Sequence, residues 1–534
     1  MKFIKFVILV APILGLFTIS TYSQESKRNN NWVTGFGPSV KMSINYNPSY
    51  QAFSSIYNTH CSSTISDTLG DYQFYCTGFY VMDKLGEIMQ DGAQVNCPYG
   101  TELSNYYGGS SLFTQTSIIL PKKGNTYYVF STGMSDSSAN IYLNHIDTKF
   151  DVLNYSIVDM DSNAGKGKVT AKNKILMDHQ EYANCALTAV KHGNGKDWWL
   201  VKADCINNRY QLFLVEEDTI LGPYYQYRTD TADSYCYFWG QLYFSHDGSK
   251  MVSGVYGNRY NTSSNPNPFP TGYGYQDISS GDTYLPNRVD LYEFDRCNGT
   301  LTYKNHYMVP LDTFSYPNYD IKNGLCFSPN DSLLYMSNLY SIYQIDLYDT
   351  NVTNGLFITG PDTVITKFPW YYEMAVAPNG KLYIGNESAI RHYMSYIDNP
   401  NIKGIGCTFI PNGVWQPYTN LKSIPNMANY GLGAAPVGGN CWPLGMSPVL
   451  EEERGISVYP NPASNKIEIQ YMLEEHEQAD LIFYDVLGNK VKVIILHGNE
   501  YTKTIDVSNF ASGLYVYHFN TTKGKRYVGK LIIE

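Results

Sequence analysis

The sequence has few charged residues, and after its N-terminal segment it has no hydrophobic run long enough to span a membrane. Only 16% of its 534 residues are Asp, Glu, Lys or Arg, whereas about 25% is usual for a soluble domain. The formal net charge of −10 argues against a phosphate-binding surface, because affinity for nucleic acid depends on clustered Lys and Arg. We therefore expect no nucleic-acid partner.

Catalytic motifs are also missing. The sequence contains no GxSxG elbow, no HExxH zinc helix, no P-loop and no GxGxxG after a strand. His192 and His246 stand in turns, where we interpret them as turn or core residues. Residues 159–165 resemble the start of a calcium loop, but the Gly is one place late and Thr170 replaces the final Glu. We predict no catalytic residue, no metal ligand and no cofactor, with calcium at this loop as the alternative.

Aromatic residues are abundant instead, with 50 Tyr, 23 Phe and 7 Trp making up 15% of the chain. This much apolar material excludes intrinsic disorder and can build a large core. Helical periodicity is nearly absent, while short alternating runs rich in Tyr, Val, Ile and Phe recur throughout. The pattern predicts an all-β protein.

A strand–turn–strand unit recurs six times at irregular intervals, often with Asp-Gly or Asn-Gly in the turn. The copies are residues 64–75, 118–130, 186–201, 242–252, 325–335 and 374–384. Such recurrence predicts a β-propeller in which each unit belongs to one four-stranded blade. At the level of architecture, residues 32–435 resemble large bacterial propellers loosely related to WD-repeat proteins, although the Gly-His and Trp-Asp signatures are absent.

We expect seven blades, with six as the alternative. Strands from residues 32–47 and 407–430 would combine into the seventh blade and close the ring, which removes the exposed edge of an open sheet. A pair of β-sandwiches is the competing fold, but it does not explain the recurring unit.

The N-terminus has the features of a secretory signal peptide. Lys2 and Lys5 precede an apolar run from Phe6 to Phe17, and small residues follow at Thr21 and Ser23. The run is shorter than the about 20 residues of a spanning helix. We assign residues 1–23 to a signal peptide and predict no transmembrane segment, so the mature protein leaves the cytoplasm.

Ten cysteines are spread over the middle of the chain, and none lies in a CxxC pair. In an exported protein this favours disulfides over metal thiolates. Cys185 and Cys205 flank an expected hairpin and are the first candidate pair, followed by Cys61 with either Cys76 or Cys97. Small buried thiols remain the alternative for each pair.

The composition changes after residue 445. An acidic linker covers residues 446–454, and residues 455–534 show dense strand alternation that predicts a small immunoglobulin-like β-sandwich of about seven strands. We assign residues 24–445 to the propeller.

Several motifs of this C-terminal stretch stand in a fixed order. They are Tyr459-Pro460-Asn461-Pro462, Tyr484-Asp485-Val486-Leu487-Gly488, Ala511-Ser512-Gly513-Leu514-Tyr515 and the terminal Gly529-Lys530-Leu531-Ile532-Ile533. The stretch resembles the type A C-terminal sorting domain of the type IX secretion system. The sorting signal implied by this resemblance comprises Tyr459, Pro460, Asn461, Pro462, Asp485, Gly488, Gly513 and Lys530.

The resemblance implies export through the periplasm and across the outer membrane, with the secretion machinery and a sortase-like peptidase as partners. After removal of the sorting domain, the cargo would be attached to surface lipopolysaccharide or released. We therefore expect a secreted or surface-attached protein.

For the function itself, we expect a non-enzymatic module that binds glycans or proteins through aromatic residues of face loops. The candidate residues are Tyr260, Phe269, Tyr273, Tyr275, Trp370, Tyr371 and Tyr372. A metal-dependent propeller hydrolase or lactonase is one alternative, and it would need three or more Asp, Glu or Asn side chains converging in the central channel. A structural component of the surface or of a motility apparatus is the other.

Overall fold

The computed structural model describes residues 24–34, 40–43, 49–52, 63–96, 115–135, 138, 150–178, 180, 182–204, 209–228, 241–255, 259–260, 283–284, 288–308, 324–337, 341–349, 356–359, 371–386, 392–417, 424–435, 456–459, 462–471, 473, 477–498, 502–523 and 526–534. The expected signal peptide and the linker at 446–454 lie outside these residues. The chain divides into two compact units, Met1–Ile220 with Tyr225–Cys441, and Leu221–Tyr224 with Trp442–Glu534. The domain boundaries given above stay predictions.

The described part of the first unit contains seven successive antiparallel sheets. Sheet 1 has three strands and sheets 2 and 3 have four each, with sheets 2 and 3 joined at their outer strands by one parallel pair, Gln90 with Lys168. Their strands are β1 (Asn31–Thr34), β2 (Val40–Ser43) and β3 (Ser49–Ala52); β4 (Ser63–Ser66), β5 (Tyr72–Cys76), β6 (Tyr80–Met82) and β7 (Ile88–Ala93); and β8 (Ser117–Pro121), β9 (Thr126–Gly133), β10 (Val152–Asp159) and β11 (Lys168–Met177).

Sheets 4 to 7 have four strands each, and a separate hairpin of β18 and β19 accompanies sheet 5. The strands are β12 (Tyr182–Lys191), β13 (Trp198–Asp204), β14 (Arg209–Val215) and β15 (Ile220–Tyr227); β16 (Leu242–Phe244), β17 (Lys250–Val255), β18 (Arg259–Tyr260), β19 (Thr283–Tyr284), β20 (Arg288–Asp295) and β21 (Thr300–Met308); β22 (Leu325–Phe327), β23 (Leu333–Ser337), β24 (Ile342–Asp346) and β25 (Leu356–Thr359); and β26 (Tyr371–Val376), β27 (Leu382–Asn386), β28 (Tyr393–Ile397) and β29 (Phe409–Trp415). Short 3-10 turns cover Gln24–Asn29, Asn163–Gly165 and Gly404–Cys407.

The six repeat copies found in the sequence coincide with the first two strands of sheets 2 to 7. Their turns are stabilised locally. Asp247 Oδ1 accepts the backbone N–H of Ser249 at 2.8 Å, and Gly248 and Gly380 have φ of +72° and +79°, a region that favours glycine. The propeller prediction is confirmed by this strand order.

Sheets 1 and 7 pack against each other and close the ring. Trp32 of β1 is fully buried in a cluster with Met394 and Val414 of sheet 7, and its ring lies 5.7 Å from the ring of Tyr383. Residues 407–430 do not complete sheet 1 as expected, because Phe409–Trp415 forms the fourth strand of sheet 7. The number of blades stays a prediction, with seven sheets described.

Residues 424–435, which we call the channel segment, run along the first strands of sheets 3 and 4. Asn426 donates to the carbonyl oxygens of Ser117 and Leu187, both at 2.8 Å. Further along, the Tyr430 hydroxyl donates to the carbonyl of Ile119 at 2.7 Å. Residues 424–435 thus pack against the first strands of these sheets, which in a propeller line the central channel.

The second unit is a two-sheet sandwich of seven strands in its described part. One sheet has the order β30 (Ile456–Tyr459), β31 (Lys466–Tyr471) and β34 (Thr502–Asp506), and the other has the order β33 (Lys490–His497), β32 (Gln478–Tyr484), β35 (Gly513–Thr521) and β36 (Arg526–Ile533). Ile469, Leu481, Phe483, Phe519 and Leu531 are fully buried between them. The sandwich prediction is confirmed.

Candidate ligand-binding face

The two ends of each sheet differ in the connections that they carry. In sheet 7, the β26–β27 turn and the β28–β29 connection lie at one end, whereas β27 ends at Asn386 and β28 begins at Tyr393 at the other. The second end, which we call the loop end, is also where β17 leads into residues 256–287. Among our candidate ligand residues, Tyr371 and Tyr372 stand at the start of β26 at this end.

Most of these candidates lie outside the described residues. Phe269, Tyr273, Tyr275 and Trp370 do so entirely, and Tyr260 is described only as part of β18. They stay predictions.

Tyr371 and Tyr372 are core residues, which corrects their selection as ligand-binding candidates. They are 1% and 4% exposed. The Tyr371 ring packs edge-on against Phe409 at 5.8 Å, and the Tyr372 carbonyl accepts the Ser337 hydroxyl at 2.9 Å. Strand aromatics fill the space between sheets here, so neither ring offers a face to a ligand.

An exposed aromatic group missed by the sequence analysis lies at the loop end of sheet 7. Trp415 and Tyr393 are directly paired across β28 and β29 and are 52% and 41% exposed. The His392 ring is stacked on Trp415, with an interplanar angle of 12° and 6.4 Å between centroids. We call His392, Tyr393 and Trp415 the Trp415 platform.

The platform is held by its backbone. The N–H of Gln416 donates to the His392 carbonyl at 2.6 Å, and His392 Nδ1 lies 3.1 Å from the Gln416 carbonyl oxygen. A proton on Nδ1 fits this contact and leaves Nε2 as an acceptor. The buried Gln416 side chain accepts the Thr34 hydroxyl at 3.4 Å, which ties the platform to sheet 1.

A second polar and aromatic group lies at the loop end of sheet 4. The Arg209 guanidinium is 3.8 Å from the centroid of the Tyr225 ring, and its Nε donates to the buried Asp204 carboxylate at 2.7 Å. Burial acts to lower the pKa of Arg209, but hydrogen bonds to Asp204 and Tyr227 outweigh it and raise that pKa. Arg209 is therefore a satisfied cation, and its Nη1 also donates to the hydroxyl of the exposed Tyr227 at 3.5 Å.

Buried amides occupy the channel near the starts of the first strands. Gln241 accepts the N–H groups of Leu325 and Met374 and donates to the Met374 carbonyl. Gln115 both accepts from and donates to the backbone of Leu242. These amides join neighbouring sheets through backbone groups, as Asn426 of the channel segment does.

Metal-binding geometry does not emerge from the described residues, where no group of three or more His, Cys, Asp or Glu could hold an ion. At the calcium-like pattern, Asp159 accepts the N–H of Asp161 and the hydroxyl of Ser162. Asp161 in turn accepts the amide of Asn125 at 2.8 Å. These oxygens stabilise the β10–β11 connection internally.

The cysteine predictions are tested only in part. Cys76 carries a buried thiol, and its sulfur accepts the N–H of Gly78 at 3.3 Å, so the predicted bridge from Cys76 is corrected. Cys61, Cys97, Cys205 and the side chain of Cys185 lie outside the described residues. The pairing of Tyr182 with Asp204 places β12, which contains Cys185, beside β13, which ends one residue before Cys205. The bridge between them stays a prediction.

Among the C-terminal motif residues that the structure describes, Asp485 and Gly488 form a turn, and the others lie in strands or directly beside one. Asp485 Oδ1 accepts the N–H groups of Leu487 and Asn489 at 2.9 and 2.8 Å, and hydrogen bonds from Asn489 lower the pKa of Asp485. Gly488 and Gly513 have φ of +84° and +151°. Lys530 lies in β36, Tyr459 in β30 and Pro462 just after it. Pro460 and Asn461 are outside the described residues.

Residues 457–534 match the family described as Secretion system C-terminal sorting domain. The protein is thus an exported β-propeller protein, secreted or held at the outer-membrane surface by way of the type IX secretion system. In the described part of the chain, no helix is long and apolar enough to cross a membrane. No curated protein matches the chain.

Solved structures similar to this chain are remote. A candidate 6-phosphogluconolactonase from Bacteroides uniformis ATCC 8492 is 12% identical with a TM-score of 0.33, over 89% of this chain and 100% of that one. A protein from Lactobacillus plantarum is 8% identical with a TM-score of 0.35, over 89% and 99%. The WD40 domain of SCAP from fission yeast is 10% identical with a TM-score of 0.26, over 77% and 72%. At these scores they carry no argument about function.

Proposed function

We propose that the propeller is a non-enzymatic glycan-binding module that the type IX secretion system delivers to the cell exterior. The observation that carries this proposal is the half-exposed Trp415 ring, backed by His392 and flanked by Tyr393 at the loop end. The module binds at the outer surface, where polysaccharides are the abundant polymers.

The chemistry of the Trp415 platform suits a sugar. An indole ring offers a flat apolar face with a polar rim, so the C–H face of a pyranose ring stacks on it while hydroxyl groups reach the rim. Nε2 of His392 is an acceptor for one of these hydroxyls. Because the platform is held by the Gln416 backbone contacts, little conformational entropy is lost on binding.

The size of the platform also favours a sugar over a protein partner. Three rings at one strand end match one or two sugar units, whereas a standard protein interface buries about 800 Å² on each partner. We assign the predicted loop residues Tyr260, Phe269, Tyr273, Tyr275 and Trp370 to further subsites of the same ligand.

A glycan array probed with the full chain tests the proposal. We expect binding to a defined set of glycans that is lost in Trp415→Ala. Tyr348→Ala is the matched control, because Tyr348 is 74% exposed but lies at the opposite end, in the turn after β24. Absence of binding by the wild-type protein, or equal loss in both variants, would overturn the proposal.

We further propose that the exported protein is processed, with the sortase-like peptidase and surface lipopolysaccharide as partners. The match of residues 457–534 to a sorting domain supports removal of this unit after transport. Mass spectrometry of the extracellular protein should find no peptides from residues 455–534, and their presence at full abundance would contradict processing.

A further inference from the structure

The sorting domain exposes more apolar side chains than its size explains. Eighteen large hydrophobic residues are exposed in the described chain, and eight of them lie in the C-terminal unit of residues 456–534. That unit provides about a fifth of the described residues, so exposed apolar groups are concentrated on it. Concentrations of this kind mark interaction surfaces.

Six of the eight lie on one side of the β33–β32–β35–β36 sheet. They are Val491, Val493, Ile495, Leu514, Val528 and Ile532, which we call the sorting face. Strand pairing brings them together, since Ile482 pairs with both Val493 and His518, and His518 pairs with Val528. The alternate residues of these strands fill the sandwich core, so the sorting face is not needed for that core.

The other two residues are presented by a stiff turn between β32 and β33. Val486 and Leu487 are 73% and 83% exposed. The turn conformation depends on Asp485, which caps the N–H groups of Leu487 and Asn489, and on Gly488 with its positive φ. Polar residues at 486 and 487 would serve this turn equally well, so its apolar side chains are not explained by folding.

The outward side of this sheet carries more positive than negative charge. Lys490 and Lys530 are exposed there, and His518 is partly exposed with its ring 4.9 Å from that of Tyr484. On the same side, Asp480 pairs with Ile495 and Asn520. A complementary partner therefore has an apolar patch with a mainly acidic border.

We propose that the sorting face, together with the Val486–Leu487 turn, is the surface by which this domain docks onto a protein of the export machinery that carries such a patch. The proposal goes beyond glycan binding and is independent of it. It assigns to one side of one sheet the recognition that the sorting-domain match leaves without a location.

Export of the full chain in its own host is the test. In the double variant Val493→Thr, Val528→Thr, threonine keeps the β-branched shape and strand preference of valine while adding a hydroxyl to the contact surface. We expect at least a tenfold fall in extracellular protein with accumulation in the periplasm. Ile175→Thr is the matched control, because Ile175 is an exposed apolar strand residue of β11, and its export should be normal.

Normal export of the double variant would overturn the proposal. If the double variant does not fold, the test uses Leu487→Ser in the exposed turn instead. Normal export of Leu487→Ser would likewise overturn the proposal. The alternative occupant of the sorting face is a second copy of the chain. Sedimentation would then show a wild-type dimer that the double variant converts to a monomer. That result, together with unchanged export, would also overturn the proposal. Purified variants should keep the glycan profile of the wild type, which separates this test from that of the Trp415 platform.

Discussion

The guanidinium of Arg296 donates a hydrogen bond to the carbonyl oxygen of Gly433 and so fixes the channel segment to the end of β20. The same side chain donates to the carbonyls of Lys191, His192 and Asp247. Burial lowers the pKa of Arg296 to about 10, with Asp247 acting in the opposite direction. One buried cation thereby joins sheet 4, sheet 5 and the channel segment.

Removing this cation should destabilise the propeller. Arg296→Ala removes a donor from four carbonyl oxygens, of which that of His192 keeps the N–H of Gly195, and we expect a loss of about 2–4 kcal/mol in the free energy of unfolding. Urea denaturation of the full chain measures it. Lys304→Ala is the control, since its ion pair with Glu293 is largely exposed and should contribute less than about 1 kcal/mol. Equal effects of the two variants would contradict the role of Arg296.

Asp331 links the repeat turns of sheets 5 and 6. Its carboxylate accepts the N–H groups of His246 at 2.7 Å and Asp247 at 2.9 Å, and its own φ is +56°. Asp331→Ala should lower the free energy of unfolding by about 2 kcal/mol. It removes the acceptor for both N–H groups, and alanine tolerates a positive φ less well than aspartate does.

Asp331→Asn is the matched variant for that site. Asparagine tolerates positive φ and retains one acceptor oxygen, so it should lose less than half as much stability as the alanine variant in the same urea titration. A loss as large as that of alanine would show that the two backbone contacts are not what Asp331 contributes.

Buried tyrosines should make the fold sensitive to alkali. Burial raises the pKa of Tyr128 to about 12 and the pKa values of Tyr72, Tyr210 and Tyr243 well above the ordinary value. Because the folded values are raised, the stability that these neutral groups contribute is complete below the unfolded pKa of about 10 and is lost as the pH rises through the folded values.

We therefore expect two stages in an alkaline titration followed by the phenolate absorbance. Exposed tyrosines such as Tyr348 ionise first, and the buried ones ionise together with cooperative unfolding above about pH 10. A single smooth titration with all tyrosines ionised while the circular dichroism remains native would contradict the burial of these side chains.

The thiols of Cys326 and Cys407 should be unreactive in the native protein. Both are fully buried, and burial raises the pKa of Cys326 to about 12, which removes the reactive thiolate at neutral pH. Alkylation followed by mass spectrometry should label neither residue in buffer and both in urea. Rapid native labelling of Cys326 would show that the sheet 6 core opens easily.

The sequence predicted the parts of the fold that depend on local chemistry. The repeat turns at 242–252 and 374–384 are recognisable because their Asp-Gly and Asn-Gly pairs and alternating strands specify a hairpin without help from distant residues. The sorting domain was recognisable from the order of its four short motifs, and one of these, around Asp485 and Gly488, is a turn that its own few residues stabilise.

Features that depend on distant contacts were missed. Nothing local marks residues 424–435 as a channel segment, because its hydrogen bonds reach Ser117 and Leu187, more than 200 residues away. Trp415 was overlooked because it ends an ordinary alternating strand, and only the pairing with Tyr393 and the stacking on His392 show its exposed face. Tyr371 and Tyr372 were selected as ligand-binding candidates because they are aromatic, and an aromatic residue type does not show whether the side chain is buried.

Calorimetric titration of the full chain with the glycan selected on the array tests the central claim most directly. The account predicts a Kd at least about fivefold weaker for Trp415→Ala, with Tyr348→Ala indistinguishable from the wild type, since loss of one stacking ring removes about 1–3 kcal/mol. Equal Kd values for the wild type and Trp415→Ala would contradict the assignment of the loop end of sheet 7 as the ligand-binding surface.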